Sequence, residues 1–472
     1  MDLAESVKNK AIRAAANAFI DRTVDSLAND PEGGIRRLVD KAGKLNSLGL
    51  YPPKYLDAIR NAAADPDNVY MRMAERWVRE VDPEVLKQLL RSLGVEAGYF
   101  GTKTARRNRE VLKCNIPWLI LLDPTSACNL KCKGCWAAEY GYRQSLSIEE
   151  MRSVINQGRE LGVHVYMYTG GEPLIRKKDI ITLCREFRDC AFLSFTNATL
   201  IDDAFCAEMK DVGNLVLALS IEGSQKSNDS RRGEGAYEAT RNAMLLLKKH
   251  RLFYGVSVCY TRENLESVTN DDFLDMLVSD GVKFGMYFNY MPVGAGADKE
   301  LIPTPQQRKY MYYWLRRVRN AKSGKQLLVM DFQDDGEYVG GCIAGGRNYF
   351  HINSSGDMEP CVFIHYSDSN IRSKTILEAL KSPLFMSYYK GQPFNDNHLR
   401  PCPMLENPDK LCEIIERTGA KSTELIEPED VKSLTDKCRD FAAAWESVAD
   451  EIWAENPHPD PHTSYYRDNH QV

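Results

Sequence analysis

From residue 118 onward, short apolar runs alternate with stretches of helical periodicity, and this pattern limits the fold more than any other feature of the chain. The runs are WLILLD (118–123), HVYMYT (164–169), AFLSFT (191–196), LVLALSI (215–221), YGVSVCY (254–260) and FGMYFNYM (284–291). Helical stretches lie near 147–161, 177–188, 202–211, 236–250, 267–280 and 304–322. Strands separated by helices of that length predict parallel βαβ units and an α/β fold. Six units are too few for a closed eight-stranded barrel. A partial (β/α)6 barrel and an open doubly wound sheet both fit. In either, function gathers at the C-terminal ends of the strands.

The flanking segments read differently. Residues 1–115 read as helical, with Ile20, Val24 and Leu27 on one apolar face. Asp30-Pro31, Pro52-Pro53 and Asp65-Pro66 punctuate that region. Residues 326–415 carry the strand-like QLLVMDF and NYFHINSSGDMEPCVF, which predict a small α+β unit. Residues 420–453 read as helix, and the polar, Pro-rich tail reads as loosely ordered. The expected division is therefore 1–115, 116–325, 326–415 and 416–472.

At 472 residues the chain is expected to hold two to four domains, at about 150 residues each. No apolar run reaches the ~18 residues of a membrane span. The N-terminus, with acids among its first five residues and no long apolar core, does not read as a secretory signal. A cytoplasmic location is expected, where disulfides are rare. The 13 cysteines then read as reduced thiols or metal and cluster ligands. A net charge of −5 gives no global argument for nucleic acid.

Three of those cysteines, Cys128, Cys132 and Cys135, share one loop just after the first predicted strand, spaced C-x3-C-x2-C. A structural zinc site needs four protein ligands, and no second pair follows nearby. Three thiolates on a [4Fe–4S] cluster leave one iron open for substrate or cofactor. A zinc site completed by a distant residue is the alternative. The second predicted strand ends in YTGGEPL (168–174). Gly170 and Gly171 let backbone approach a ligand closely. Glu172 and nearby carbonyls can accept hydrogen bonds from an ammonium group, and Pro173 suits an early helical position.

This pair of motifs resembles the radical SAM superfamily over roughly 118–325. Cys128, Cys132 and Cys135 match the family's cluster motif, and Gly170, Gly171, Glu172 and Pro173 match its methionine-amine motif. The resemblance implies a partial barrel and a [4Fe–4S] cluster whose open iron chelates the amino and carboxylate groups of S-adenosylmethionine (SAM). It also implies reductive cleavage of SAM to methionine and a 5′-deoxyadenosyl radical, which abstracts a substrate hydrogen. An electron donor such as flavodoxin or ferredoxin is implied as a partner. SFTNAT resembles the family's third strand end and places Asn197 near the cofactor. LSIEG resembles the fourth, with Ser220 and Glu222 toward the ribose or methionine moiety. Arg231 or Arg232 can pair with the methionine carboxylate, since guanidinium binds carboxylate bidentately. YMPVG, containing Val293, resembles the adenine-contacting segment. One residue departs from the pattern: the position before the third cysteine is usually aromatic, and here it is Gly134, with Trp136 following.

Cys342, Gly356 and Cys361 form C-x13-G-x4-C, which resembles the opening of a SPASM or twitch extension. One auxiliary [4Fe–4S] cluster held by Cys342, Cys361, Cys402 and Cys412 is the expectation. Cys184, Cys190, Cys206 and Cys259 read as buried packing residues. No general acid or base is assigned, although Tyr166, Tyr168, Tyr287, Asn289 and Tyr290 lie near strand ends. The substrate implied is a peptide or protein side chain, as for many SPASM-bearing enzymes. The alternative is the alkyl chain of a lipid, with Lys8, Lys10 and Arg13 touching an anionic membrane surface. The plainer reading of that first helix is a packed cap on the barrel. A third reading, a non-enzymatic iron–sulfur binding protein, needs neither the intact three cysteines nor the intact G-G-E-P.

Overall fold

In the computed structural model the described residues are 3–30, 34–35, 60–65, 67–138, 144–426 and 428–458. Pro31, Pro52, Pro53, Pro66 and the tail from 459 lie outside them.

The N-terminal region is helical: α1 (Leu3–Asn29), α2 (Val69–Glu80), α3 (Pro83–Leu89), a π-helical stretch (Leu90–Gly101) and α4 (Thr102–Leu112). The face of α1 expected from its spacing is the one that packs, with Ile20, Val24 and Leu27 buried. Arg13 does not face outward as a free cation. Its guanidinium pairs with Glu96 at 2.8 Å and lies 3.8 Å over the Phe100 ring. The helix thus packs as a cap against α3 and the π-helical stretch. No helix among the described residues is long and apolar enough to cross a membrane.

Six strands follow where the apolar runs predict them: β1 (Leu119–Leu122), β2 (Val165–Tyr168), β3 (Ala191–Thr196), β4 (Leu215–Ser220), β5 (Tyr254–Tyr260) and β6 (Phe284–Asn289). Between them run α5 (Ile148–Leu161), α6 (Lys177–Glu186), α7 (Asp203–Val212), α8 (Gln225–Arg232), α9 (Ala236–Lys249), α10 (Leu265–Thr269) and α11 (Asp271–Ser279). Two local differences from the sequence reading stand out. The expected helix at 267–280 breaks at Asn270, whose side chain caps α11 by accepting from the Asp272 N–H. The eight-residue α8 has no apolar periodicity to announce it.

The remaining elements are α12 (Pro305–Val318), β7 (Leu328–Asp331), α13 (Gly336–Val339), β8 (Tyr349–Ile352), β9 (Met358–Glu359), β10 (Tyr366–Ser367), α14 (Ile376–Leu380), α15 (Pro383–Gly391), α16 (Pro408–Thr418), β11 (Lys421–Ser422) and α17 (Val431–Glu455). The nine-stranded sheet runs β7-β6-β5-β4-β3-β2-β1-β8-β9 and is parallel except for β9. QLLVMDF and the start of NYFHINSSGDMEPCVF therefore extend the barrel sheet on its two sides. Leu119 of β1 pairs with Val165 of β2 on one flank and Tyr349 of β8 on the other. Strand β1 is thus an inner strand, which leaves no unpaired edge beside the cysteine loop. Phe332, just past β7, meets Tyr349 with ring centroids 5.9 Å apart, so the sheet curls until its two sides touch.

Period-2 alternation along the strands separates two environments. Ile120, Tyr166, Tyr168 and Tyr287 point into the fully buried layer beneath the helices. Leu119, Met167, Phe195, Met286 and Phe288 face the interior of the curl and line a cavity.

Candidate functional site

The cavity, of about 270 Å³, opens at the C-terminal ends of the strands. Cys128, Cys132 and Cys135 line it, with Gly170 to Pro173, Asn197, Ser220, Arg231 and Arg232. Of the residues predicted for SAM, Glu222 and Val293 are set back from it; both are fully buried. Tyr290 and Met291 are the lining residues of the YMPVG segment.

The cysteine loop is held from three sides. The Lys133 N–H donates to the Arg231 carbonyl at 2.8 Å, which ties the loop to α8. The Gly171 N–H donates to the Thr125 carbonyl at 3.0 Å, and the Glu172 N–H to the Ala127 carbonyl at 2.8 Å. Asn197 Nδ2 donates to Asn129 Oδ1 at 2.8 Å and lies 3.9 Å from Cys128 Sγ. Burial pushes the Cys135 thiol up. A metal centre reverses that preference, because a coordinating thiol is deprotonated outright. The N–H of Leu130, aimed at Cys128 Sγ at 3.4 Å, and Arg232 Nη1, 4.0 Å from Cys132 Sγ, suit thiolate ligands of an iron–sulfur cluster.

The two glycines serve this contact directly. Gly170 has φ +103°, and a Cβ on Gly171 would stand 2.2 Å from the Ala127 carbonyl oxygen. Backbone cannot swing aside as a long side chain can. Gly171→Ala is therefore expected to displace the cysteine loop and cost the reconstituted chain about four irons. Iron analysis beside the wild type checks this, and unchanged iron would contradict it.

Glu172 is buried and engaged by the protein itself. Its Oε1 accepts from the Leu174 N–H and Thr196 Oγ1, and its Oε2 accepts from the Asn197 N–H. The carboxylate thus locks the β2 turn to the end of β3. The Glu172 carbonyl is also engaged, accepting from the Ile175 N–H at 3.1 Å.

Glu222 binds both arginines. Arg231 Nη1 lies 2.5 Å from Glu222 Oε1, and Arg232 Nη2 lies 2.6 Å from the same oxygen. Glu222 Oε2 accepts from the Cys259 N–H at 3.0 Å. Burial works against the Arg231 charge, yet Cys259, Glu222, Cys132 and Cys135 around it hold it above its ordinary value. The pair is neither solvated nor on the surface. Two guanidiniums share one carboxylate, which leaves a net positive charge at the cavity wall for a carboxylate ligand.

Gly134 has φ +64°, and a Cβ there would fall 2.7 Å from the Tyr290 ring. The ring missing from position 134 is supplied by Tyr290, beyond β6, whose hydroxyl accepts from the Asp298 N–H at 3.0 Å. Trp136 also lines the cavity, and it packs on His351, Phe363 and His365. Of the strand-end residues singled out from the sequence, Asn289 and Tyr290 line the cavity, Tyr287 borders a second one, and Tyr166 and Tyr168 are packing residues. Cys184, Cys190 and Cys206 are buried as expected, but Cys259 lines the cavity. In β5 the alternation points Ser257 and Cys259 inward, and hydrophobicity alone does not reveal that phase.

Cys342, Cys361 and Cys402 come together around a second cavity, of about 180 Å³. Tyr349 Oη lies 2.8 Å from Cys361 Sγ, and the N–H groups of Met404 and Leu405 point at Cys402 Sγ at 3.4 Å. Burial pushes the Cys361 thiol up to about 12. Three thiols with converging donors fit a cluster site. Cys412 is not among them: its Sγ faces Thr435 Oγ1 at 3.1 Å, between α16 and α17. The two cavities share an apolar partition that includes Met286, Phe288, Phe332 and Phe363.

Residues 122–275 match the radical SAM superfamily model. This chain carries a radical SAM domain. Its relatives include the Fe-coproporphyrin III synthase of Methanosarcina barkeri strain Fusaro, 26% identical over 47% of this chain and 57% of that one. The AdoMet-dependent heme synthase of Nitratidesulfovibrio vulgaris is 24% identical over 60% of this chain and 84% of that one. The PqqA peptide cyclase of Rhodopseudomonas palustris is 26% identical over 52% and 67%. The chain thus spans less than two thirds of the first of these relatives. The matched stretch contains all three loop cysteines and the Gly170 turn but none of Cys342, Cys361 and Cys402. The radical SAM domain implies SAM and one [4Fe–4S] cluster.

Proposed function

We propose that the chain reductively cleaves SAM and abstracts a hydrogen atom from a peptide or protein side chain. The observation that carries the reading is the convergence of three loop thiols, the Gly170-Gly171 turn and the Arg231–Arg232 pair on one cavity. Cys128, Cys132 and Cys135 would hold the cluster, which would supply the electron for reductive cleavage of SAM. The chain's own residues do the positioning. Carbonyls of the Gly170 turn accept from the methionine ammonium, Arg231 and Arg232 hold its carboxylate, and Tyr290 over Gly134 shapes the adenine side. Asn197 and Ser220 stand at the strand ends between them. The apolar interior keeps water from the reacting centre. Cys342, Cys361 and Cys402 hold one auxiliary [4Fe–4S] cluster, and a flavodoxin or ferredoxin supplies electrons. The peptide reading draws support from the PqqA peptide cyclase among the relatives.

A second reading, reaction on a lipid alkyl chain, is favoured by one observation. Away from the cysteines the wall is apolar, built of Leu119, Leu121, Met167, Phe195, Met286 and Phe288. Such a wall suits a hydrocarbon, since an unpaired polar group buried there costs about 1–3 kcal/mol. Deuterium tracing separates the two. Reconstituted protein with SAM and dithionite is incubated with the protein fraction or the lipid fraction of deuterated cells, and 5′-deoxyadenosine is weighed by mass spectrometry. Deuterium arriving from the protein fraction is the expected result. Deuterium from the lipid fraction alone selects the second reading.

A further inference from the structure

The cysteine loop and the Gly170 turn share a support made of three fully buried charged residues. Asp123 follows β1, His351 lies on β8 and Glu359 lies on β9; none has exposed surface. His351 Nε2 lies 2.9 Å from Asp123 Oδ1, and His351 Nδ1 lies 2.7 Å from Glu359 Oε2. The ring thus bridges two carboxyl groups, hydrogen-bonded to Glu359 through Nδ1, while Nε2 meets Asp123 as a close contact without an aligned hydrogen bond. Asn353 Nδ2 and Thr423 Oγ1 also donate to Glu359. Asp123 has less help: neither of its oxygens takes a well-aligned hydrogen bond, and His351 is its counter-charge at 2.9 Å.

The placement of the three residues is what gives them a role. Asp123 leads directly into Pro124 and the cysteine loop, and its N–H donates to the Ile352 carbonyl of β8 at 2.9 Å. A Cβ on Gly170 would stand 2.9 Å from Asp123 Cβ, so that side chain is the floor of the glycine turn. Trp136, next to Cys135, stands edge-on to the His351 ring at 5.9 Å. Glu359 lies two residues before Cys361. Both cysteine sites therefore hang from one charged strut across β1, β8 and β9. Stability alone is a poor reason for it, because apolar replacements of buried ion triads are often as stable. What charge adds is directional fixing.

We propose that Asp123, His351 and Glu359 form a positioning triad that sets the Cys128–Cys135 loop and the Gly170 turn for SAM, although His351 touches neither. The proposal rests on the reading that SAM and a cluster bind at that cavity.

The test is SAM titration of the full, anaerobically reconstituted and dithionite-reduced chain, followed by the SAM-induced change in the cluster's electron paramagnetic resonance (EPR) spectrum. Absence of any change in the wild type would sink the proposed function, not the triad. Asp123→Asn is expected to weaken SAM binding about tenfold and His351→Gln more, as for outer partners of metal ligands. The double variant, which leaves no unpaired carboxylate beneath Gly170, is expected to bind SAM more tightly than His351→Gln alone. Signals from the auxiliary cluster should persist in Asp123→Asn. If both single variants bind SAM within about twofold of the wild type, or the double variant is merely additive, the triad is overturned. Should His351→Gln fail to fold, Asp123→Asn decides, because it keeps the His351–Glu359 pair.

Discussion

With Cys128, Cys132 and Cys135 replaced together by alanine, 5′-deoxyadenosine formation is expected to fall below detection while the chain still folds. Cys128 is exposed, and Cys132 and Cys135 are half-buried in a loop that packs mainly through its backbone. Substitutions at such positions cost little stability. The chemistry has no such tolerance, because on the proposed reading the electron reaches SAM through a cluster held by these thiols. Iron should drop by about four per chain, leaving only the share that the proposed auxiliary cluster at Cys342, Cys361 and Cys402 would account for. Persistent SAM cleavage in the triple variant would refute the assignment of the loop. Loss of all iron would instead show that the second cavity holds no cluster of its own.

Glu222→Ala is expected to destabilise the chain by about 3–5 kcal/mol, the range for stranding a buried charge. The Glu222 carboxylate meets Arg231 and Arg232 through one oxygen and the Cys259 N–H through the other. Its removal leaves two largely buried guanidiniums side by side at the cavity wall, without their shared counter-charge. Glu222→Gln keeps an acceptor for Cys259 but not the charge, so an intermediate loss is expected. Urea unfolding of the apo chain reads both, free of any cofactor. A loss under about 1 kcal/mol for the alanine variant would mean that solvent already neutralises the pair, contrary to its burial.

Some of this architecture is plain in the residues and some is not, for identifiable physical reasons. The six strands and their helices are legible because period 2 and period 3.6 are local signals. The first helix shows its buried face for the same reason. The Gly170-Gly171 pair is legible as a close-approach turn, but the partner approached is the Thr125–Ala127 backbone, 45 residues earlier, as well as any ligand. Gly134 reads from sequence as a gap in an aromatic position. Its filler, Tyr290, arrives from the far end of β6, and no local pattern ties the two together. The same holds for β8, whose pairing with β1 spans more than 200 residues, and for the His351 triad that depends on it. Cys412 looked like a ligand by count, whereas the packing of α16 on α17 turns its thiol toward Thr435. Spacing within a loop reports well which thiols gather at one cavity; spacing between elements does not, because orientation is decided by tertiary packing.

The central claim is that the open cavity beside Cys128, Cys132 and Cys135 binds SAM for reductive cleavage. Its most direct test is chromatography of the products after the anaerobically reconstituted wild-type chain has met SAM and dithionite. The account predicts 5′-deoxyadenosine and methionine in equal amounts. A chain that carries its iron, binds SAM and still forms no 5′-deoxyadenosine would contradict it.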